Sequence, residues 1–408
     1  MTFATTRLGR VADARLGRQR SPQSHDGPNM VPYLRSANVS PGQLLLEDIK
    51  EMNFSPAEQR VFVLRLGDVL VTEGSGSRET VGAPAVWDDS IVGPVCFQNT
   101  LVRLRPGPRL DHAYLYWWAR HAHGSGLIAE AAGGQSILHI GAETLRDLEV
   151  FLPPLGEQRR IANFLDDQVT RIDNIISARR AQLDLLASER MTAIRMATCG
   201  SDNDAVWKVS WAFRAGSGTT PSSDRRHYFD GPHAWVNSGD LNDGIIEYCQ
   251  RTVTDEALRD FSALKTYDPG ALLVAMYGAT IGKTGILGMT GCVNQAICVL
   301  QPIGPVLTSY AHYWFIGQRE RIIELGSGGG QPNINQDVIK NLGIPCGDIP
   351  TQSAIVAGLN RMSAMYDENR ETLGSSIDLL QEFKRSLISA AVSGEFDVST
   401  ASGRGVPA

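Results

Sequence analysis

The stretch GGQSILHI at 133–140 returns as GGQPNINQ at 329–336, 196 residues later in a chain of 408. The same spacing sets CFQNTLVRLRP at 96–106 against CVNQAICVLQP at 292–302, and YLYWWAR at 114 against YAHYWFI at 310. Upstream the offset drifts, with GRQRSP at 17 resembling GSGTTP at 216 and YLRSANV at 33 resembling WVNSGDL at 235. Downstream, EQRRIANFLDDQVTRID at 157 matches TQSAIVAGLNRMSAMYD at 351, and DLLASERMTAI at 184 matches DLLQEFKRSLI at 378, both at an offset of 194. Small drifts are what loop insertions produce, so the chain is two copies of one unit. With 42% apolar residues it can bury a core in each copy.

Each copy has two patterns. The first holds β-rich runs such as VFVLRLGDVLVT and ALLVAM, turns rich in Gly, Pro and Asn, and one aromatic helix candidate, DHAYLYWWARH. The second follows a proline break, LPPLGEQ or IPCGDIPTQ, and carries apolar residues at helical spacing. Leu165, Val169, Ile172, Ile176, Leu183 and Leu186 form one seam, and Leu359, Met362, Tyr366, Leu373, Ile377 and Leu380 the other. Gly374 weakens the second helix locally by about 1 kcal/mol against alanine. A helix of about forty residues spans roughly 60 Å, longer than a domain of about 150 residues is wide. Two such helices can cover each other's seams. The expected fold is therefore α+β, with two pseudo-symmetric globular domains joined by two long antiparallel coiled-coil helices. The expected boundaries are 1–154 for the first domain, 155–200 for the first helical spacer, 201–348 for the second domain and 349–398 for the second spacer, with a disordered tail over 399–408.

A formal charge of −6 argues against a protein that coats nucleic acid by charge alone. Locally, however, Arg7, Arg10, Arg15, Arg18, Arg20 and Arg35 outnumber Asp13 and Asp26 within the first 35 residues. The six cysteines include no C-x-x-C pair and are too scattered for a disulfide framework, which reads as reduced, cytoplasmic thiols. No secretory h-region is visible, and the charge-free stretch 284–318 is broken by Asn, Gln, Pro and Gly too often to cross a membrane as a helix.

Enzyme readings find little support. GATIGKT would be a phosphate loop only with glycine where Tyr277 stands. VLVTEGSGS lacks the third glycine of a dinucleotide loop, and LPPL has leucine where amino-methyltransferases carry a polar residue. His112, His121 and His123 sit near the aromatic helix candidate, but the His121–His123 pair has no equivalent in the second copy, so no metal site is expected.

The order of variable domain, LPPLxEQ-type break, long helix, second domain and second long helix, closing in SLISAAVSGEFDV, resembles the specificity subunit of type I restriction-modification systems. GATIGK at 278–283, NQAI at 294 and GGQPNI at 329 are similar to stretches of that family's target recognition domains. The likeness covers residues 7 to about 398. It implies a chain without catalysis whose two domains each read one half of a split double-stranded DNA target. The helices would act as a ruler and dock two methyltransferase subunits, which would hold the S-adenosylmethionine. Restriction translocase subunits would be able to join. GSGSRETVG at 74–82 departs from YGATIGKTG at 277–285, so loop detail does not transfer between the halves.

Arg, Asn and Gln discriminate base pairs by bidentate hydrogen bonds, while Lys and Arg also hold phosphates. In loop-like contexts the DNA-binding candidates are Arg18, Arg20, Arg78, Gln135, Arg225, Lys283 and Gln331. Gly133-Gly134 and Gly329-Gly330 would allow a sharp turn or close approach of the backbone. Partner docking and the helix seam fall to Leu165, Ile172, Ile176, Leu183, Leu359, Tyr366, Ile377 and Leu380. Two other classes stay open: a protein scaffold that does not touch DNA, and a self-sufficient DNA methyltransferase. Binding of mixed-sequence duplex and of a methyl donor separates the three.

Overall fold

The computed structural model describes residues 3–21, 24–326 and 333–399. Gln331, the Gly329-Gly330 pair and residues 400–408 of the expected tail lie outside them. The chain forms two compact units, one of residues 1–179 with 375–408 and one of residues 180–374. This division is not serial. Each unit takes the first part of one long helix and the last part of the other.

In the first unit a four-stranded antiparallel sheet runs in the order Ala12–Leu16, Leu101–Pro106, Val69–Thr72, Pro84–Val86. Val69 and Val71 face the core built around the helix His112–Gly124, whereas Leu70 faces a second core with Trp87 and Phe97. Both faces are covered, which is why the strand reads as a continuous apolar run rather than an alternation. The run VFVLRLGDVLVT does not form one strand. Its first two residues close the helix Pro56–Phe62, which starts from a Ser55/Glu58 capping box with Pro56 in the first turn. Asp111 caps the aromatic helix by accepting from the Ala113 and Tyr114 N–H groups, and the helix buries its own Tyr114, Leu115, Trp117 and Trp118.

The second unit repeats this plan with a five-stranded sheet in the order Phe213–Ser217, Ile297–Pro302, Leu272–Ala275, Thr284–Leu287, Ile245–Ile246. Leu272 and Val274 again face the helix-side core, and Leu273 and Ala275 the other. Its helix Thr308–Gly317 is buried from Tyr310 to Gly317.

Strand register gives the equivalences directly. Tyr33 lies opposite Cys96 as Trp235 lies opposite Cys292, so YLRSANV and WVNSGDL are structural counterparts. The GRQRSP and GSGTTP pairing is corrected. Leu16 lies opposite Val102 and Ser217 opposite Cys298, which makes Gly218, not Gly216, the counterpart of Gly17. Both glycines sit where a Cβ would strike a backbone carbonyl, that of Gln98 or Val293. Gly74 and Tyr277 are likewise equivalent, as are Gly82 and Gly282, whose N–H groups bond to Thr72 O and Ala275 O. The loop between them is three residues longer in the first unit.

The long helices span Leu155–Thr198 and Ile349–Ser393. The second passes through Gly374 unbroken. In the first unit Phe164 meets Phe396 at 5.6 Å between ring centroids and Lys384 bonds Asp173 at 2.5 Å, so the two helical segments run antiparallel. In the second unit Arg190 reaches Ser363 and lies over the Tyr366 ring. Leu165, Ile172, Ile176, Leu359 and Ile377 are buried, whereas Leu183, Tyr366 and Leu380 are half-buried. No helix among the described residues is long and apolar enough to cross a membrane.

Candidate nucleic-acid interface

Antiparallel pairing gives each central sheet two distinct ends. At one end of the first unit, Ala12 pairs with Pro106. At the other, Leu16 pairs with Val102 and Thr72 with Leu101. Every described candidate of this unit leaves from the second end. Arg18 and Arg20 follow Leu16, and Arg78 lies on the loop that follows Thr72. Gln135 joins them because Leu138–His139 pairs with Gly74–Ser75, fastening its loop beside that of Arg78. His139 Nδ1 reinforces the junction at 3.1 Å from Glu73 Oε1.

The second unit has the same arrangement. Arg225 lies on the loop after Ser217, and Lys283 on the turn that returns the chain from Ala275 to Thr284. Tyr277 bridges to Asn333, the counterpart of the Gly74–His139 pairing. Gly82 and Gly282 hold φ of +73° and +74°, so these turns require the left-handed region glycine tolerates.

The candidates differ in what their side chains are free to do. Arg78, Gln135, Arg20, Arg225 and Lys283 are exposed. Arg18 is committed elsewhere: its Nε donates to Glu58 Oε1 at 2.6 Å and its guanidinium lies 5.2 Å from the Phe54 ring centre. Burial raises the Glu58 carboxyl, but hydrogen bonds from Ser55 N–H and from Arg18 outweigh it and hold the group below its usual range. Arg18 is thus a brace for the helix Pro56–Phe62. Of the six arginines in the first 35 residues, Arg7, Arg15, Arg18 and Arg35 have acidic partners.

Arg20 opens onto a cavity of about 400 Å³ with Arg35, Lys50, His25 and Gln98. Asp48 ties two of these cations in place, at 2.5 Å from Arg35 and 2.7 Å from Lys50. The Lys50 hydrogen bond, ahead of the Arg35 charge, lowers the Asp48 carboxyl. Lys50 and His25 were not legible as partners of Arg20, because nothing local in sequence brings 20, 25, 35 and 50 to one concavity.

The turn bearing Lys283 is pinned from beneath. Asp243 accepts from Thr284 N at 3.0 Å and from Arg319 Nη2 at 2.5 Å, and Arg319 Nε donates to Gly282 O at 3.0 Å. His312 Nε2 lies 3.2 Å from Asp243 O, and burial pushes this histidine down to about 4. His121 and His123 are lowered too, by burial. Among the described residues no three His, Cys, Asp or Glu side chains gather as a metal site.

The model of the type I restriction modification DNA specificity domain matches twice, over residues 2–185 and 212–375. A type I restriction enzyme MjaX specificity subunit of Methanocaldococcus jannaschii is 22% identical over 378 residues, covering 87% of this chain and 83% of the relative. The MjaIX specificity subunit of the same organism is 23% identical over 171 residues, 41% of this chain and 39% of the relative. Among solved structures, one described as the basis of complex assembly and conformational transition of the type I R-M system has a TM-score of 0.79 at 17% identity, covering 97% of this chain and 98% of that one. The HsdS subunit from Thermoanaerobacter tengcongensis has a TM-score of 0.56 at 17% identity, covering 97% of each chain. With two matched copies of the domain spanning most of its length, the chain belongs to the type I restriction-modification DNA specificity family.

Proposed function

We propose that each unit reads one half of a bipartite double-stranded DNA target through the loops at one end of its central sheet. The chain is a specificity subunit and contributes recognition rather than catalysis. One observation carries the reading of the site. In both units every described candidate side chain leaves the same sheet end, while the long helix is rooted at the opposite end through Gln158 or Gln352. A reader needs its discriminating side chains on one face and its partner contacts on another.

The two long helices would set the separation of the half-sites and dock two methyltransferase subunits. The methyltransferases would bind the S-adenosylmethionine, restriction subunits would join the same assembly, and the complex would work in the cytoplasm. The doubled unit supports this stoichiometry, since each copy carries its own helix root.

The test is reconstitution with the partner methyltransferase. Native mass measurement is expected to give two methyltransferases per chain, with methyl transfer to a bipartite duplex only in the complex. A one-to-one assembly at saturating partner, or methyl transfer by the purified chain alone, contradicts the reading.

A further inference from the structure

The sheet end opposite the candidate loops differs between the two units. In the first unit it opens into a cleft of about 490 Å³ lined by Arg10, Asp13, Pro106, Arg105, Arg109 and Arg146. Two of its charged groups are already satisfied. Arg105 bonds Asp68 with two nitrogens, at 2.7 and 2.6 Å, and Asp13 accepts from Arg103 at 2.7 Å. Arg146 donates once, to Ala14 O at 2.5 Å, and keeps its charge without an acidic partner among the described residues. Arg10 and Arg109 are exposed, and among the described residues neither side chain has a hydrogen bond or an ion pair. Three uncompensated guanidinium groups therefore border one concavity.

By strand and helix equivalence, the second unit has Trp211 at the place of Arg10, Gln301 at that of Arg105, Pro305 at that of Arg109 and Lys340, already paired with Asp337 at 3.5 Å, at that of Arg146. Trp211 and Ile303 there are 59% and 57% exposed, and Lys208 lies 5.7 Å from the Trp211 ring centre. The arginine cleft is thus a property of the first unit and not of the fold.

We infer that this cleft receives an acidic segment of a docked protein partner, the methyltransferase of the proposed function, on whose docking the inference rests. Two relationships favour a protein over DNA. The cleft adjoins the root of the first long helix, where Arg109 O accepts from Gln158 Nε2 at 3.0 Å and Asp111 pairs with Arg159 at 3.3 Å. It also lies a full strand, Leu101–Pro106, away from the candidate DNA loops, about 17 Å at 3.4 Å per residue. Guanidinium forks match carboxylate geometry, so several of them around one concavity select a run of Asp and Glu. The two docking sites are accordingly unequal, the first electrostatic and the second more apolar.

The test uses the full chain and a fluorescein-labelled decapeptide of alternating Glu and Asp, read by anisotropy at low salt. The Arg10→Gln/Arg109→Gln variant is expected to weaken peptide binding about tenfold and to flatten its salt dependence. Arg251→Gln/Arg259→Gln, a charge-matched change on the second unit, is expected to leave binding within about twofold, and neither variant is expected to alter binding of a mixed-sequence duplex. Equal peptide binding by the two variants, or no binding by the parent chain, overturns the inference. Loss of duplex binding with peptide binding unchanged assigns the cleft to DNA phosphates and also overturns it. Failure of the DNA-reading proposal would show separately, as a parent chain that supports no bipartite methylation.

Discussion

Gln158 and Gln352, 194 residues apart, make the same three hydrogen bonds in the two units. Gln158 Oε1 accepts from Asp111 N at 2.7 Å, and its Nε2 donates to Arg109 O and Pro153 O. Gln352 accepts from Leu307 N at 2.8 Å and donates to Pro305 O and Gly347 O. Both side chains are buried, at 0% and 1% exposure, so each stitches the start of a long helix to the segment leading into the aromatic helix.

Replacing either glutamine with leucine leaves three backbone groups without their partner. Gln158→Leu or Gln352→Leu is expected to cost about 2–5 kcal/mol, seen as a lowered urea midpoint. An unchanged midpoint would show that water or rearrangement satisfies those groups.

The six matched hydrogen bonds also show what a sequence of this kind carries. Duplication was legible because both copies must solve the same burial problem, and so print the same residues at Gln158 and Gln352, Tyr114 and Tyr310, Cys96 and Cys292. The long helices were legible because seam residues such as Leu165 and Leu359 recur at helical spacing over forty residues. Register was not: a two-residue slip at Gly17 matched glycines that strand pairing separates. The candidate site was half legible. Residue type marked Arg18 and Arg78 alike, but only tertiary contact distinguishes an arginine bound to Glu58, forty residues away, from one left exposed on an insertion.

That distinction predicts different phenotypes. Arg78→Ala and Gln135→Ala are expected to relax or change one half-site, each by about 1–3 kcal/mol of discrimination, and to leave the other half-site unaltered. Arg18→Ala is expected to lower stability by about 1–3 kcal/mol, since Glu58 loses its charged partner, and to retain the half-site sequence. Methylation-motif sequencing and urea unfolding read the two effects. A changed motif from Arg18→Ala with unchanged stability would reverse the assignment.

His312 makes acid a stress on the second unit. Its folded value, pushed down by burial to about 4, lies below the ordinary 6.5, so the unfolded chain takes up a proton that the folded chain refuses. Stability is full above about pH 6.5 and falls as pH drops towards 4, by roughly 3 kcal/mol from this group. Tyr116, the counterpart in the first unit, donates to Gly42 O at 3.4 Å as His312 approaches Asp243 O. His312→Tyr is therefore expected to remove this share of the acid loss, measured by urea unfolding at pH 7 and 4.5. An identical pH slope in the variant would remove His312 from the account.

The helices carry the spacing claim. Inserting one heptad into each, at matched positions, keeps the seam in phase and adds about 10.5 Å of helix, the length of about three base pairs. The spacer is expected to lengthen with both half-sites retained, at some loss of affinity from the altered rotation around the duplex. An unchanged spacer with retained activity would take the ruler role from the helices.

The central claim is that this one chain imposes a two-part DNA sequence on a methyltransferase with no such specificity of its own. Methylome sequencing of cells carrying the partner methyltransferase, with and without this chain, tests it most directly. The expected result is a bipartite adenine-methylation motif, two defined half-sites around an undefined spacer, present only when the chain is present. A motif that persists without the chain, or a single uninterrupted motif that depends on it, would contradict the claim.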